Sequence, residues 1–145
     1  MQTILQILKM VGGWHHGLHL HIDNAPYMSL VVEALDESGP MGLPALSVAH
    51  YGEQNGDLMR DPEMRFELGL AGGAHLSAFY YRNDYIGIEQ WSRDVVDGNY
   101  IHLIDLHKQH ESFAKTWDNN LRLQDFLEAF ERQQPKLSWA RRRRD

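Results

Sequence analysis

The chain contains no cysteine at any of its 145 positions. Disulfides, thiolate metal sites and thiol nucleophiles are therefore excluded, and the lack suits a cytoplasmic protein. Long apolar runs are missing too. None approaches the roughly 20 residues needed to cross a bilayer, so no membrane partner is expected. The first residues, Met1 to Lys9, have neither a basic leader region nor a small-residue cleavage site, so no secretory signal is expected there. No phosphate loop, dinucleotide fingerprint, Gly-x-Ser-x-Gly elbow or His-Glu-x-x-His motif occurs, and no cofactor is implied. There is no internal repeat and no linker long enough to divide two domains.

What is present reads as an ordinary globular chain, 43% hydrophobic and 23% charged, of a length that fits one domain. The net charge of −6 hides an asymmetry. Residues 141–145 hold four arginines and one aspartate; without them ten basic and nineteen acidic residues remain, a net −9. A body of that sign matches a phosphate backbone poorly. Nucleic acid would have to be met through Arg141, Arg142, Arg143 and Arg144, in a basic stretch (135–145) expected to be a flexible tail on a domain spanning 1–134.

Apolar periodicity places a helix over Thr3–Val11, with Ile4, Leu5, Leu8 and Val11 on one face, Thr3 as N-cap and Gly12 as stop. Strict alternation over Leu18–Asp23 predicts a half-buried strand. Further strands are expected at 28–34, 46–51, 64–68 and 76–80, punctuated by Asn24-Ala25-Pro26, by Asp36–Gly42 and by Gly72-Gly73. The run 82–91 has no clear period. After Asp97-Gly98-Asn99 the pattern reads as helical to about Trp117, with Ile101, Ile104, Phe113, Ala114, Trp117 and Leu121 on one stripe. Asp118-Asn119-Asn120 is expected to break it, a further helix to run from Leu121 to Arg132, and Pro135 to end the ordered part. The fold class that results is α+β: an antiparallel meander of about five strands, covered on one face by an N-terminal helix and C-terminal helices.

The densest polar stretch is His50-Tyr51-Gly52-Glu53-Gln54-Asn55-Gly56-Asp57-Leu58-Met59-Arg60-Asp61-Pro62-Glu63-Met64. Asn55-Gly56 signals a two-residue hairpin turn, since both of its positions need positive φ. Asp57 to Pro62 is expected to delay the return strand, so that a polar loop over 53–63 projects from the sheet edge. This block, with the later run Tyr81-Arg82-Asn83-Asp84-Tyr85-Ile86-Gly87-Ile88-Glu89-Gln90, resembles a family of uncharacterised proteins carried on bacterial plasmids and integrative conjugative elements. The resemblance spans residues 1 to about 133 and implies a mobile-element setting, without implying a reaction. The arginine tail falls outside it.

Two kinds of chemistry suit the polar block. His50, Glu53, Asp57 and Asp61 are the candidates for acid/base work or for holding a hard cation, with His50 the best general base. Arg60 offers a fork of donors for a phosphate or carboxylate. The plainer alternative is local: Asp57 and Asp61 bonding nearby amides while Arg60 pairs with a carboxylate. In the second run Asn83, Asp84 and Tyr85 lie among Phe79, Tyr80, Tyr81 and Trp91, an aromatic density that suits either a partner surface or a core. Nine histidines raise a metal question, with His15, His16, His19 and His21 near one strand and His102, His107 and His110 near one helix. Alternation with Leu18, Leu20 and Ile22 makes His19 and His21 the polar face of a strand, and no native metal site is expected.

The reading carried forward is a small non-enzymatic binding or accessory module that takes a protein partner. Its contacts would come from Glu53, Asn55, Asp57, Arg60 and Asp61, with Asn83, Asp84, Tyr85 and Trp91. The rival is a metal-assisted hydrolase built on His50, Glu53, Asp57 and Asp61, which requires those side chains to converge in a concave pocket.

Overall fold

A computed structural model describes residues 1–69 and 75–134. The Gly72-Gly73 turn, Pro135 and the arginine tail lie outside the described residues. In chain order the elements are α1 (Gln2–Met10), β1 (His19–Asn24), β2 (Tyr27–Ala34), β3 (Ala45–Gln54), β4 (Asp57–Leu68), β5 (Leu76–Asn83), β6 (Ile88–Trp91), β7 (Arg93–Val96), β8 (Asn99–His102), α2 (Ile104–Leu123) and α3 (Phe126–Gln133). Strands β1 to β6 pair with their sequence neighbours in one antiparallel meander, and β7 with β8 forms a separate hairpin. The fold is α+β, with six strands in the main sheet where five were expected.

Alternation along the strands sends Leu30, Val32, Leu46, Val48, Met64, Phe66 and Ala78 to one face, where they meet Ile4, Ile7, Trp117, Leu121, Phe126 and Phe130 of the helices. Phe66, Phe126 and Phe130 are almost fully enclosed, and each such side chain stabilises the fold by roughly 1.5–3 kcal/mol. Helices α1 and α2 are joined by a polar contact as well. The Thr3 amide donates to Asp118 Oδ1 at 2.9 Å, so a carboxylate from α2 satisfies an orphan donor in the first turn of α1. Two expectations change with that contact. Thr3 lies inside α1 and does not cap it with its side chain. Asp118 does not break α2, which runs unbroken to Leu123, because its polar atoms are spent on the neighbouring helix.

The polar block departs most from expectation. Asn55 and Gly56 do form the tight turn, with φ of 51° and 85°. The return strand then starts at once: Gln54 faces Asp57, Glu53 faces Leu58 and Tyr51 faces Arg60. There is no projecting 53–63 loop. Between the pairs Ala49–Glu63 and Tyr51–Arg60, β3 contributes His50 alone while β4 contributes Asp61 and Pro62. Such a β-bulge accommodates a proline that lacks a ladder donor, so Pro62 sits inside a strand without ending it.

Residues 99–102, placed in a helix by periodicity, are instead β8, and the helix starts at Ile104. Asp97 and Gly98 take φ of 52° and 77° and close the β7–β8 turn between Val96 and Asn99.

Candidate functional site

The two sequence blocks meet at the far end of the sheet. Arg60 and Asp84 bond reciprocally: the Arg60 amide donates to Asp84 Oδ2 at 2.9 Å, and the Asp84 amide donates to the Arg60 carbonyl at 2.9 Å. Arg82 Nε donates to Asp84 Oδ1 at 2.7 Å, Asn83 Nδ2 to Asp61 Oδ1 at 2.8 Å, and the Tyr85 amide to Asn83 Oδ1 at 3.0 Å. The Arg60 guanidinium lies 3.3 Å from Glu63 Oε1 and 3.8 Å from Asp84 Oδ2. Burial alone would raise the Asp84 carboxyl, but the Arg60 amide and the Arg82 guanidinium outweigh it and hold it below the ordinary carboxylate value. Tyr85 completes the closure: a Cβ on Gly52 would overlap its hydroxyl. The β5–β6 turn is therefore seated on the β3–β4 hairpin.

A second ionic lattice covers the sheet face away from the helices. Glu63 accepts from Ser47 Oγ at 2.7 Å and from Arg65 Nε at 2.9 Å. The Arg65 guanidinium lies 4.2 Å from the centre of the Tyr80 ring. Burial, with the Glu89 carboxylate as hydrogen-bond acceptor at 2.5 Å, pushes the Tyr80 phenol up to about 12. Trp91 packs edge-on against Tyr80 at 5.1 Å, away from Asn83, Asp84 and Tyr85.

His50 faces the helices. It lies in a cleft of about 230 Å³ whose walls include Tyr27, Met28, Asp61, Pro62 and Trp117. Its Nδ1–H donates to the Ser29 carbonyl at 3.3 Å, and its ring packs against Trp117 at 5.5 Å and Phe126 at 5.4 Å. Burial lowers its pKa, and the Ser29 and Met28 carbonyls and the Asp61 charge only partly oppose that. Asp61 shares the cleft, but Glu53 and Asp57 are exposed near the hairpin tip. The four residues of the hydrolase reading are thus divided between two places and do not form one pocket. Glu53, Asn55 and Asp57 likewise stand apart from the Arg60–Asp61–Asn83–Asp84–Tyr85 cluster.

The histidines are dispersed. His19 pairs with Glu33 at 3.2 Å and His21 with Asp23 at 3.0 Å, both on exposed strand. His102, His107 and Glu111 form a hydrogen-bonded chain, with steps of 2.9 and 3.0 Å. His110 is buried between Ser92 Oγ at 2.8 Å and Gln90 Oε1 at 3.1 Å. Among the described residues no group of three or more His, Cys, Asp or Glu is placed to hold a metal ion. Sequence reasoning missed Glu67 and Arg93 altogether. They form a buried pair 3.0 Å apart that ties β4 to β7, and no local pattern joins residues 26 positions apart.

The architecture defines a six-stranded antiparallel meander backed by three helices, its two polar blocks interlocked at one end. Residues 2–127 match the model of a domain of unknown function, DUF6908, and the chain belongs to that family. No curated protein and no solved structure matches it. The matched range contains both blocks and stops before the arginine tail.

Proposed function

We propose that this protein is a small non-enzymatic binding module serving a mobile genetic element in a regulatory, transfer-related or anti-defence role. It would engage a protein partner with the sheet end built from the β3–β4 hairpin and the β5–β6 turn. The observation that carries the reading is the reciprocal Arg60–Asp84 pairing, which fixes two separate segments as one platform. That end of the sheet exposes Leu58, Tyr85 and Ile86, which are 72%, 44% and 64% exposed, and the hairpin tip adds the charges of Glu53 and Asp57. Rigid display of apolar side chains within a polar rim is what a specific interface requires. The mobile-element setting rests on the resemblance carried by the two blocks. In this reading Arg60 and Asp84 support the surface, while Leu58 and Ile86 touch the partner.

The test is affinity capture from the native host with the wild-type chain, followed by mass spectrometry and repeated with Leu58→Asp and Ile86→Asp. Both side chains are exposed, so stability should change by no more than about 0.5 kcal/mol. Loss of one specific partner with both variants, at unchanged melting temperature, is the expected result. Undiminished capture by both variants would move the contact surface elsewhere.

A further inference from the structure

All four residues of β8 and the last two of β7 are exposed. A two-stranded hairpin alone is at best marginally stable in water and gains stability from further strands or from packing. Here Val95, Val96, Tyr100, Ile101, Leu103 and Ile104 are each between 40% and 59% exposed. Together these side chains leave roughly 500 Å² of surface, divided between the two faces of the hairpin, with Val95 and Tyr100 on one and Val96 and Ile101 on the other. Among the described residues, β8 makes no backbone hydrogen bond beyond its pairing with β7, so one edge of it presents free donors and acceptors. An apolar open edge of this kind is a template for another strand.

We infer that β8 pairs with β8 of a second copy, joining two hairpins into a four-stranded antiparallel sheet across a twofold axis. The sequence of the strand favours a second copy as the occupant. Asn99-Tyr100-Ile101-His102-Leu103 carries no acidic or basic side chain apart from His102, and burial beside His107 and Arg93 keeps that imidazole toward its neutral form. Self-pairing therefore sets no like charges opposite each other within the strand, which an acidic chain could otherwise hardly avoid. A twofold axis perpendicular to an antiparallel pair requires one residue to face its own counterpart. The Leu103 amide donates to the Ser92 carbonyl, so odd positions turn their backbone groups to β7, while Tyr100 and His102 turn theirs to the open edge. Centring on Tyr100 pairs its amide and carbonyl with those of its counterpart, and sets Asn99 against the partner's Ile101. The apolar area lies below the roughly 800 Å² per partner of a standard interface, so the dimer is a weak one.

Because the chain has no cysteine, Tyr100→Cys supplies a single thiol for the test. Directly opposed residues of an antiparallel pair lie about 4.5–5.5 Å apart at Cα, within disulfide span. Leu123→Cys, at the exposed end of α2, is the control for random collision. The expected results are a sedimentation coefficient of the full chain that rises with concentration, and oxidative cross-linking of Tyr100→Cys at least about tenfold faster than of Leu123→Cys. In addition, Ile101→Lys, checked for an unchanged melting temperature, should weaken association at least tenfold. A full chain that stays monomeric at submillimolar concentration would overturn the proposal. So would equal cross-linking rates of the two cysteine variants, or concentration-dependent dimers in which Tyr100→Cys fails to cross-link.

Discussion

Replacing Arg93 by Met tests what holds the outer sheet face together. Arg93 and Glu67 are 4% and 2% exposed, and their Nη1 and Oε1 atoms are 3.0 Å apart. The guanidinium also donates to the Ala78 carbonyl at 3.2 Å and the Ser77 carbonyl at 3.3 Å. Glu67 Oε2 accepts from the Met41 and Leu43 amides at 2.8 and 3.1 Å, so one carboxylate fastens the 39–43 loop to the sheet. The methionine fills similar volume but leaves Glu67 buried with its counter-charge gone, a change that costs about 3–5 kcal/mol. For a chain this long the melting temperature should fall on the order of 10 °C. Glu67→Gln keeps one acceptor for the loop amides but leaves the buried Arg93 charge unpaired, so it should also cost about 3–5 kcal/mol. The double variant should be clearly more stable than the sum of the single losses implies, because each residue's penalty is the other left unpaired. Guanidinium denaturation of all four proteins supplies the cycle. An Arg93→Met loss below about 1 kcal/mol, or strict additivity, would refute the view that this pair is a mutually dependent structural unit.

Two glycines should respond unequally to alanine. At Gly39 a Cβ would lie 2.7 Å from Glu67 atoms that are themselves tethered, so Gly39→Ala should cost about 1–3 kcal/mol in denaturant titration. At Gly52 it would meet the Tyr85 hydroxyl and, at 3.2 Å, Met28 Sδ, both near the ends of part-exposed side chains that can swing away, so Gly52→Ala should cost under about 1 kcal/mol while raising Tyr85 exposure to nitration. The third expectation concerns pH: burial holds His50 and His110 below the ordinary 6.5, so the unfolded chain takes up protons first. Stability should be full above that pH and fall on acidification through the window beneath it, by at most about 1.4 kcal/mol per pH unit for each histidine. His50→Gln should flatten the decline in melts across that window, and a slope unchanged by the substitution would contradict the assignment.

Much of the fold was legible because local signals and tertiary needs agree. Leu18, Leu20 and Ile22 alternate with His19, His21 and Asp23, and the structure buries Ile22 while leaving His19 and His21 in solvent. Asn55-Gly56 announced its hairpin for a steric reason that no neighbour can alter. Where signals conflicted, the outcome was decided at long range. Pro62 reads locally as a strand breaker, yet one unmatched residue in β4 turns it into part of a bulge. Asp97-Gly98 has the same turn chemistry as Asn55-Gly56, but Ile101 and Ile104 also fit a helical spacing. Over so short a run the two periods cannot be told apart.

The candidate site was harder to read, for a reason visible at Arg60. Its partners are Asp84, brought alongside by the register of β4 and β5, and Glu63, which lies across the bulge. Neither relation follows from spacing alone. Residue types that suit a binding loop, such as Arg, Asp and Asn, equally suit the lattice of backbone and carboxylate bonds that locks one hairpin to the next turn. The polar block therefore marks the end of the sheet where the β3–β4 hairpin and the β5–β6 turn interlock, while leaving open which side chains face outward. Exposure resolves that question against the interlocked polar residues, while Glu53 and Asp57 face solvent at the hairpin tip. Asp61, Asn83 and Asp84 spend hydrogen-bonding capacity on one another and on Arg60 and Arg82, whereas Leu58 and Ile86 have no such commitments. A side chain already engaged must break those bonds before it can meet a partner, and that cost is charged against affinity. The side chains best able to bind are thus the apolar ones that a search for functional chemistry passes over.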